Sequence, residues 1–177
     1  MSSKLEIRSS MKCKRQSLTH LDGSGEARMV DVSAKKETLR EAKASATIFA
    51  HPDLIRLIKE RALPKGDVLS VAKVAGIQAA KKTHELIPMC HPLHLSHIDI
   101  EMTLDEGSIR IASTVRALDR TGVEMEALTA VTVAALTLYD MCKSVERGIV
   151  ISDIMLLKKS GGKSGTWKRE IRCASAS

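Results

Sequence analysis

Two periods of hydrophobicity run along this chain, and the places where one gives way to the other mark its elements. From Thr121 to Lys143, Leu128, Val131, Ala135, Leu138 and Cys142 recur at three-and-four spacing. Val133, Ala134, Leu136 and Met141 make the remaining faces apolar too, so the spacing predicts one long buried helix packed on more than one side. Gly122 breaks the pattern before it, and Thr121 is placed to cap its first turn. Glu124 and Glu126 suit the positive end of its dipole, and Lys143 and Arg147 the negative end.

The rest of the chain is laid out around that helix. Met29 to Ser33 reads as a short extended piece, and Ala44 to Ala50 as a β-prone run closed by His51-Pro52-Asp53. Leu54, Ile55, Leu57 and Ile58 predict a short helix ending near Ala62. Asp67 then caps a second helix from Val68 to about Leu86. Within it Ala72, Gly76 and Ala80 form a smooth face for close packing. Pro88 and Pro92 bracket Cys90-His91 and stiffen a loop that cannot continue the helix. Ile98, Ile100, Met102 and Leu104 alternate with polar residues, as do Ile109, Ile111, Ser113 and Val115, with Glu106-Gly107 turning between them. This predicts a hairpin with one face on a core. Ile149 to Leu157 reads as a last strand, followed by a mobile basic loop, KSGGKSG, from Lys159 to Gly165. The order is βαββαβ with one added short helix. It predicts an α+β, ferredoxin-like antiparallel sheet covered by helices on one face.

Residues 1–17 are polar and basic and are expected to be a disordered extension; Glu6 and the lack of an amphipathic face set them apart from an organelle transit peptide. Residues 18–26 are rich in turn signals, 18–167 make a single domain, and 168–177 form a tail. A chain of 177 residues with 44% apolar content can bury its own core, and with only 2% aromatic residues that core must be aliphatic. No run approaches the roughly 20 uninterrupted apolar residues of a membrane helix, so no membrane is expected. A net charge of +7 points to an anionic partner. The scarcity of stacking side chains counts against nucleic acid. Cys13, Cys90, Cys142 and Cys173 form no CxxC pair, which suits a cytoplasmic, reducing setting.

Candidate chemistry lies in the charges. Asp140 and Lys143, three apart, share a helical face. Glu126 lies on nearly the same face but about 21 Å away at 1.5 Å per residue. Two such helices, antiparallel about a two-fold axis, would set each Glu126 beside the partner's Asp140. Spacing alone favours the plainer reading, a solvated Asp140–Lys143 pair and carboxylates that only complement the dipole, because surface pairs are common. Cys90, His91, His94 and His97 carry zinc-type donors but lack the second cluster of a tetrahedral site, so a polar binding loop or a plain turn fits them better. Gly162-Lys163-Ser164 mimics the end of a phosphate loop, yet Leu157 stands where that motif needs glycine. A glycine-rich loop with two lysines can still fold over phosphates, and Lys65-Gly66 beside a helix N-terminus can hold an anion.

Taken together, MVDVS, KGDV (Lys65 to Val68), AGIQAAKKT (Ala75 to Thr83), LIPMCHPL (Leu86 to Leu93), TGVEMEALTA (Thr121 to Ala130), YDMCK (Tyr139 to Lys143) and KSGGKSG resemble the cyclic pyranopterin monophosphate synthase family, the molybdenum cofactor biosynthesis protein C family. The resemblance runs in order from Leu18 to Trp167. It implies conversion of (8S)-3',8-cyclo-7,8-dihydroguanosine 5'-triphosphate, a cyclised GTP derivative, to cyclic pyranopterin monophosphate and pyrophosphate. It also implies a ferredoxin-like fold and a homohexamer, a trimer of dimers, with the active site at the dimer interface. By the same resemblance Asp140 and Lys143 match the catalytic pair, while Met89, Cys90, His91, Met125 and Glu126 match substrate-binding positions. Lys65, Glu124, Lys159 and Arg40 match further polar groups of the pocket. No metal cofactor is required by this chemistry, since acid–base groups and cations suffice. The expectation that follows is that the Lys65 and Lys159 loops hold the phosphates and the Cys90-His91 loop the rest of the ligand. The alternative is a non-enzymatic ferredoxin-like nucleotide- or RNA-binding module, but an RNA reader of that fold would carry aromatics on its central strands, and Ile109 to Leu118 has none.

Overall fold

A computed structural model describes residues 24–170. The expected disorder of residues 1–17 lies outside the described residues, as do positions 18–23 of the turn-rich stretch and 171–177 of the tail. The chain divides into two units between Val30 and Asp31; of the first, the described residues 24–30 hold a turn at Ser24 and one bridge residue, Ala27. The extended piece expected over Met29–Ser33 does not form as a strand. At its end the Asp31 carboxylate accepts from Ser33 N at 2.9 Å and Lys35 N donates to Val32 O at 3.0 Å, which bends the chain into a turn.

The second unit runs β1 (Thr38–Phe49), α1 (Pro52–Lys59), α2 (Val68–Lys81), α3 (Thr83–Leu86), β2 (Leu95–Leu104), β3 (Ser108–Asp119), α4 (Glu124–Cys142), β4 (Val150–Ser160) and β5 (Trp167–Lys168). All pairings are antiparallel in the order β2-β3-β1-β4-β5, the ferredoxin-like arrangement with one strand added at an edge. β1 begins six residues before the apolar run that announced it. Thr38 to Lys43 have little strand propensity of their own, but β3 and β4 flank them and supply backbone partners from Asp119 to Thr114 and from Ser160 to Lys158. At the start of β1, on the open face, Glu41 lies between Arg116 Nε at 2.7 Å and Lys158 Nζ at 2.9 Å, tying three strands together. Those two cations, the Lys158 hydrogen bond first, hold its carboxyl at about 2. β5 is too short to leave a periodic signal; it is held by Arg169, which donates from N to Leu157 O and from Nε to Leu156 O, both at 2.8 Å.

The core lies between the sheet and the helices α2 and α4. Ala42, Ala44, Ala46 and Ile48 of β1 and Ile109, Ile111, Val115 and Ala117 of β3 face Ala127, Ala130, Val131, Ala134, Ala135 and Leu138 of α4, all buried. Facing alanines let the helix lie close to the central strand. At Gly76 the approach between helices is closer still: a Cβ there would stand 2.7 Å from Ala130 O and 3.2 Å from Ala134 Cβ. By length and composition α4, with 19 residues and a mean hydropathy of 1.3, could cross a membrane, which counting uninterrupted apolar residues did not register. It packs instead on β1, β3, β4 and α2 as the core helix of this domain.

Helix ends depart from expectation where side chains found other partners. Asp67 caps α2 as the sequence indicates, its Oδ1 accepting from Ser70 N at 3.0 Å. α2 stops at Lys81, because the buried Thr83 turns its hydroxyl back onto Ala80 O at 3.1 Å; the chain resumes as the single turn α3. Thr121 does not cap α4. The N-cap is Val123, whose side chain is buried and makes no capping hydrogen bond, so packing rather than a hydroxyl sets where this helix begins.

Candidate active site

Because α4 is one uninterrupted helix, the polar residues near its two ends form two separate groups. At its C-terminal end Lys143 Nζ lies 2.6 Å from Asp140 Oδ1. Lys65, carried by the turn before α2, donates to the backbone oxygen of Asp140 at 2.9 Å and stands 3.8 Å from its Oδ2. The hydrogen bond from Lys143 is the main reason the Asp140 carboxyl is held below the usual range, with Lys65 adding to it; the same bond raises Lys143. All three side chains are exposed to solvent. Two cations at the carbonyl end of a helix also complement its dipole.

The N-terminal end is built differently. Glu126 is only 4% exposed. Burial pushes its carboxyl up to about 7, and the neighbouring Glu124 and Asp119 carboxylates push the same way. The Cys90 thiol is raised by its own burial and then by the Glu126 carboxylate, so the two side chains lie within electrostatic reach of each other. Within that loop Pro88-Met89 is a turn closed by Cys90 N donating to Ile87 O at 3.0 Å, and Met89, Cys90 and His91 are half-buried. Met125 is exposed beside Glu126. Lys159, near the end of β4, lies 3.3 Å from Glu124 Oε1 and donates to Ser164 Oγ at 2.9 Å. Arg40 donates from Nε to Asp119 O at 3.1 Å and from Nη2 to Arg120 O at 2.9 Å.

The sequence-derived candidates therefore divide. Arg40, Met89, Cys90, His91, Glu124, Met125, Glu126 and Lys159 gather about the start of α4, while Lys65, Asp140 and Lys143 gather about its end. Fourteen residues of helix, about 21 Å, separate Glu126 from Asp140. Within one chain Lys65 and Lys159 lie at opposite ends of α4, so the expectation that both loops hold the phosphates requires a site shared between two chains. The structure also changes the reading of Lys65-Gly66 as an anion cradle, since the Asp67 carboxylate already occupies the α2 N-terminus. The KSGGKSG segment is a hairpin connection rather than a free basic loop. Gly161, Gly162 and Gly165 adopt φ of 102°, 69° and 62°, and Gly165 N donates to Gly162 O at 3.2 Å. Ser164 was missed as a partner of Lys159, although it stood inside a segment already singled out. Asp119 gave no signal, because only the fold brings the end of β3 beside Glu126. Among the described residues no three His, Cys, Asp or Glu side chains gather as a metal site.

A group with a near-neutral pKa can give or take a proton at ordinary pH, and a lysine bonded to a carboxylate can steady developing negative charge. Each end of α4 holds part of that equipment. Known proteins are similar in sequence over most of this length. A cyclic pyranopterin monophosphate synthase of Peptoclostridium acidaminophilum is 57% identical over 152 residues, 86% of this chain and 97% of that protein. The protein of that name from Thermoanaerobacter sp. (strain X514) is 57% identical over 156 residues, 87% of this chain and 99% of its own. The one from Heliobacterium modesticaldum is 55% identical over 155 residues, 86% and 98%. The sequence model of the MoaC family matches residues 29–162, both groups of polar residues included, and the chain belongs to that family.

Proposed function

We propose that this chain is a cyclic pyranopterin monophosphate synthase, converting (8S)-3',8-cyclo-7,8-dihydroguanosine 5'-triphosphate to cyclic pyranopterin monophosphate and pyrophosphate. The observation that carries the reading is identity of 55–57% to synthases of that name along 97–99% of their lengths. The reaction opens and closes rings with proton transfers. A ribose hydroxyl then attacks the innermost phosphorus: an O–P bond forms, the bond to the pyrophosphate oxygen breaks, and the hydroxyl proton passes to a base. Pyrophosphate leaves with the displaced electron pair.

The residues present supply these needs. Glu126, poised near neutrality by burial, exchanges protons with the ring system, and Asp140 with Lys143 relays protons and offsets charge on the phosphates. Met89, Cys90, His91 and Met125 wall the ring system, and Lys65, Lys159 and Glu124 hold the polar remainder.

The working site is assembled from two chains. One ligand cannot span about 21 Å of helix, whereas a second copy with its α4 antiparallel about a two-fold axis sets the Asp140 end of one chain at the Glu126 end of the other. Three such pairs would make the homohexamer implied by the resemblance, and the cytosol is its setting, as Cys90 and Cys142, both unbridged, favour. The test is direct: purified protein is given the cyclised triphosphate and pyrophosphate is measured against time. Stoichiometric release with the cyclic monophosphate as co-product is the expected result. Tight binding of the nucleotide without turnover would favour the binding-module alternative.

A further inference from the structure

Arg40 matches a pocket-lining position by resemblance, yet its guanidinium is already committed to the protein. Nε donates to Asp119 O at 3.1 Å and Nη2 to Arg120 O at 2.9 Å, the last residues before the segment that leads into α4. The remaining nitrogen, Nη1, lies against Gly162 of the β4–β5 turn, so close that a Cβ at Gly162 would overlap it, with the guanidinium carbon at 2.7 Å and Nη2 at 2.9 Å. Gly161 presses on the same strand: a Cβ there would collide with Leu39 O and stand 3.1 Å from Arg40 Cδ. One planar side chain is thus wedged between two segments, residues 119–124 and residues 159–165. The Glu124–Lys159 pair bridges those same two segments at 3.3 Å.

We infer that Arg40 is a positioning residue, a latch that joins the β3–α4 connection to the β4–β5 turn and so sets the placing of Glu124, Lys159 and the buried Glu126. The geometry suits this role better than a phosphate grip. A planar fork satisfied by two backbone carbonyls is pre-organised and holds a loop in register; lysine, a point charge on a flexible stem, lacks the fixed geometry that holds both bonds in one plane. It also gives a reason for glycine at 162 beyond its φ of 69°, since even alanine would displace the guanidinium. Asp119 raises the Glu126 carboxyl, so a shift of the latched connection should move the proton affinity of Glu126 with it.

The inference rests on the synthase reading for its kinetic arm but not for its structural one. Arg40→Lys, Arg40→Gln and Gly162→Ala are compared with the unaltered chain, first by amide hydrogen exchange without ligand. Faster exchange confined to residues 119–124 and 159–165 is expected in all three; unchanged exchange there overturns the latch whatever the protein catalyses. Kinetics follow. A fall in kcat of tenfold or more is expected in Arg40→Lys and Gly162→Ala, with KM altered less than threefold and the pH limb belonging to Glu126 displaced. A raised KM at unchanged kcat in Arg40→Lys, with Gly162→Ala behaving like the parent, would mean that Arg40 grips substrate and would overturn the proposal. If Arg40→Gln fails to fold, the other two variants carry both arms.

Discussion

Glu126 shows how far one side chain can be moved by its surroundings. An exposed glutamate titrates near 4.5; buried on the first turn of α4 beside two other carboxylates, this one titrates at about 7. The native state therefore binds a proton that the unfolded chain has already released between those two values. Stability falls as pH rises from 4.5 through 7 and is level, for this group, above that; the cost of ionisation is about 3 kcal/mol, at 1.36 kcal/mol per unit. Glu126→Gln removes it. Urea titrations should find the variant more stable than the parent at pH 8 by up to about 3 kcal/mol and nearly equal at pH 4, whereas an equal effect at both would separate burial from the titration. Turnover of the same variant should collapse, because glutamine cannot exchange the proton. Asp140 and Lys143 stand at the other extreme, exposed and bonded at 2.6 Å. An exposed pair contributes little to folding, so Asp140→Asn and Lys143→Ala should melt within a few degrees of the parent while losing nearly all pyrophosphate release. Near-normal product from either folded variant would remove the pair from the mechanism.

At the scale of elements, the decisive contact is that of α2 with α4. Gly76→Ala would gain roughly 1 kcal/mol of helix propensity in an isolated helix. Here the added methyl meets Ala130 O at 2.7 Å, a backbone atom that cannot move without shifting α4. Overpacking of this kind costs typically 1 to 3 kcal/mol, so crowding wins, and calorimetry should record a melting temperature several degrees lower. A variant as stable as the parent would show that the helices can part without cost. The consequence reaches function, because α2 and α4 together fix the distance between Lys65, before α2, and Asp140, near the end of α4.

At the scale of the whole molecule, the proposed site joins the two groups of polar residues across two chains. If each site takes Glu126 from one chain and Asp140 from its partner, two dead variants should rescue each other. Glu126→Gln and Asp140→Asn, unfolded together and refolded as a mixture, would form mixed pairs in which one site carries both lesions and the other carries none. About half of the chains in an equal mixture enter mixed pairs, so roughly a quarter of parental activity should return, by the symmetry of a two-fold interface. Each variant alone should stay inactive, and sedimentation should show an oligomer throughout. No recovery in a mixture shown to contain mixed pairs would mean that each chain works alone.

The alternation of Ile98 to Leu104 and Ile109 to Val115, and the three-and-four spacing of Leu128 to Cys142, were sufficient to place the hairpin and the central helix. Burial on one face leaves a periodic trace in any strand or helix, and a ferredoxin-like order follows from the sequence of those traces. The distance between Glu126 and Asp140 was equally legible, since 14 residues of helix have a set length. Asp67 as a cap and Gly76 as a contact were local enough to be seen as well. What needed tertiary structure was every feature whose cause lies far away in the chain. β1 extends back to Thr38 because β3 and β4 flank it, and α4 opens at Val123 because that side chain has a core to enter. Lys65 turns from the α2 N-terminus to the end of α4, and Arg40 gives two of its donors to backbone carbonyls at the end of β3. In each case a local preference of well under 1 to about 2 kcal/mol met a partner brought in by the fold. Packing and pairing at long range decided the outcome, because they act on many atoms at once.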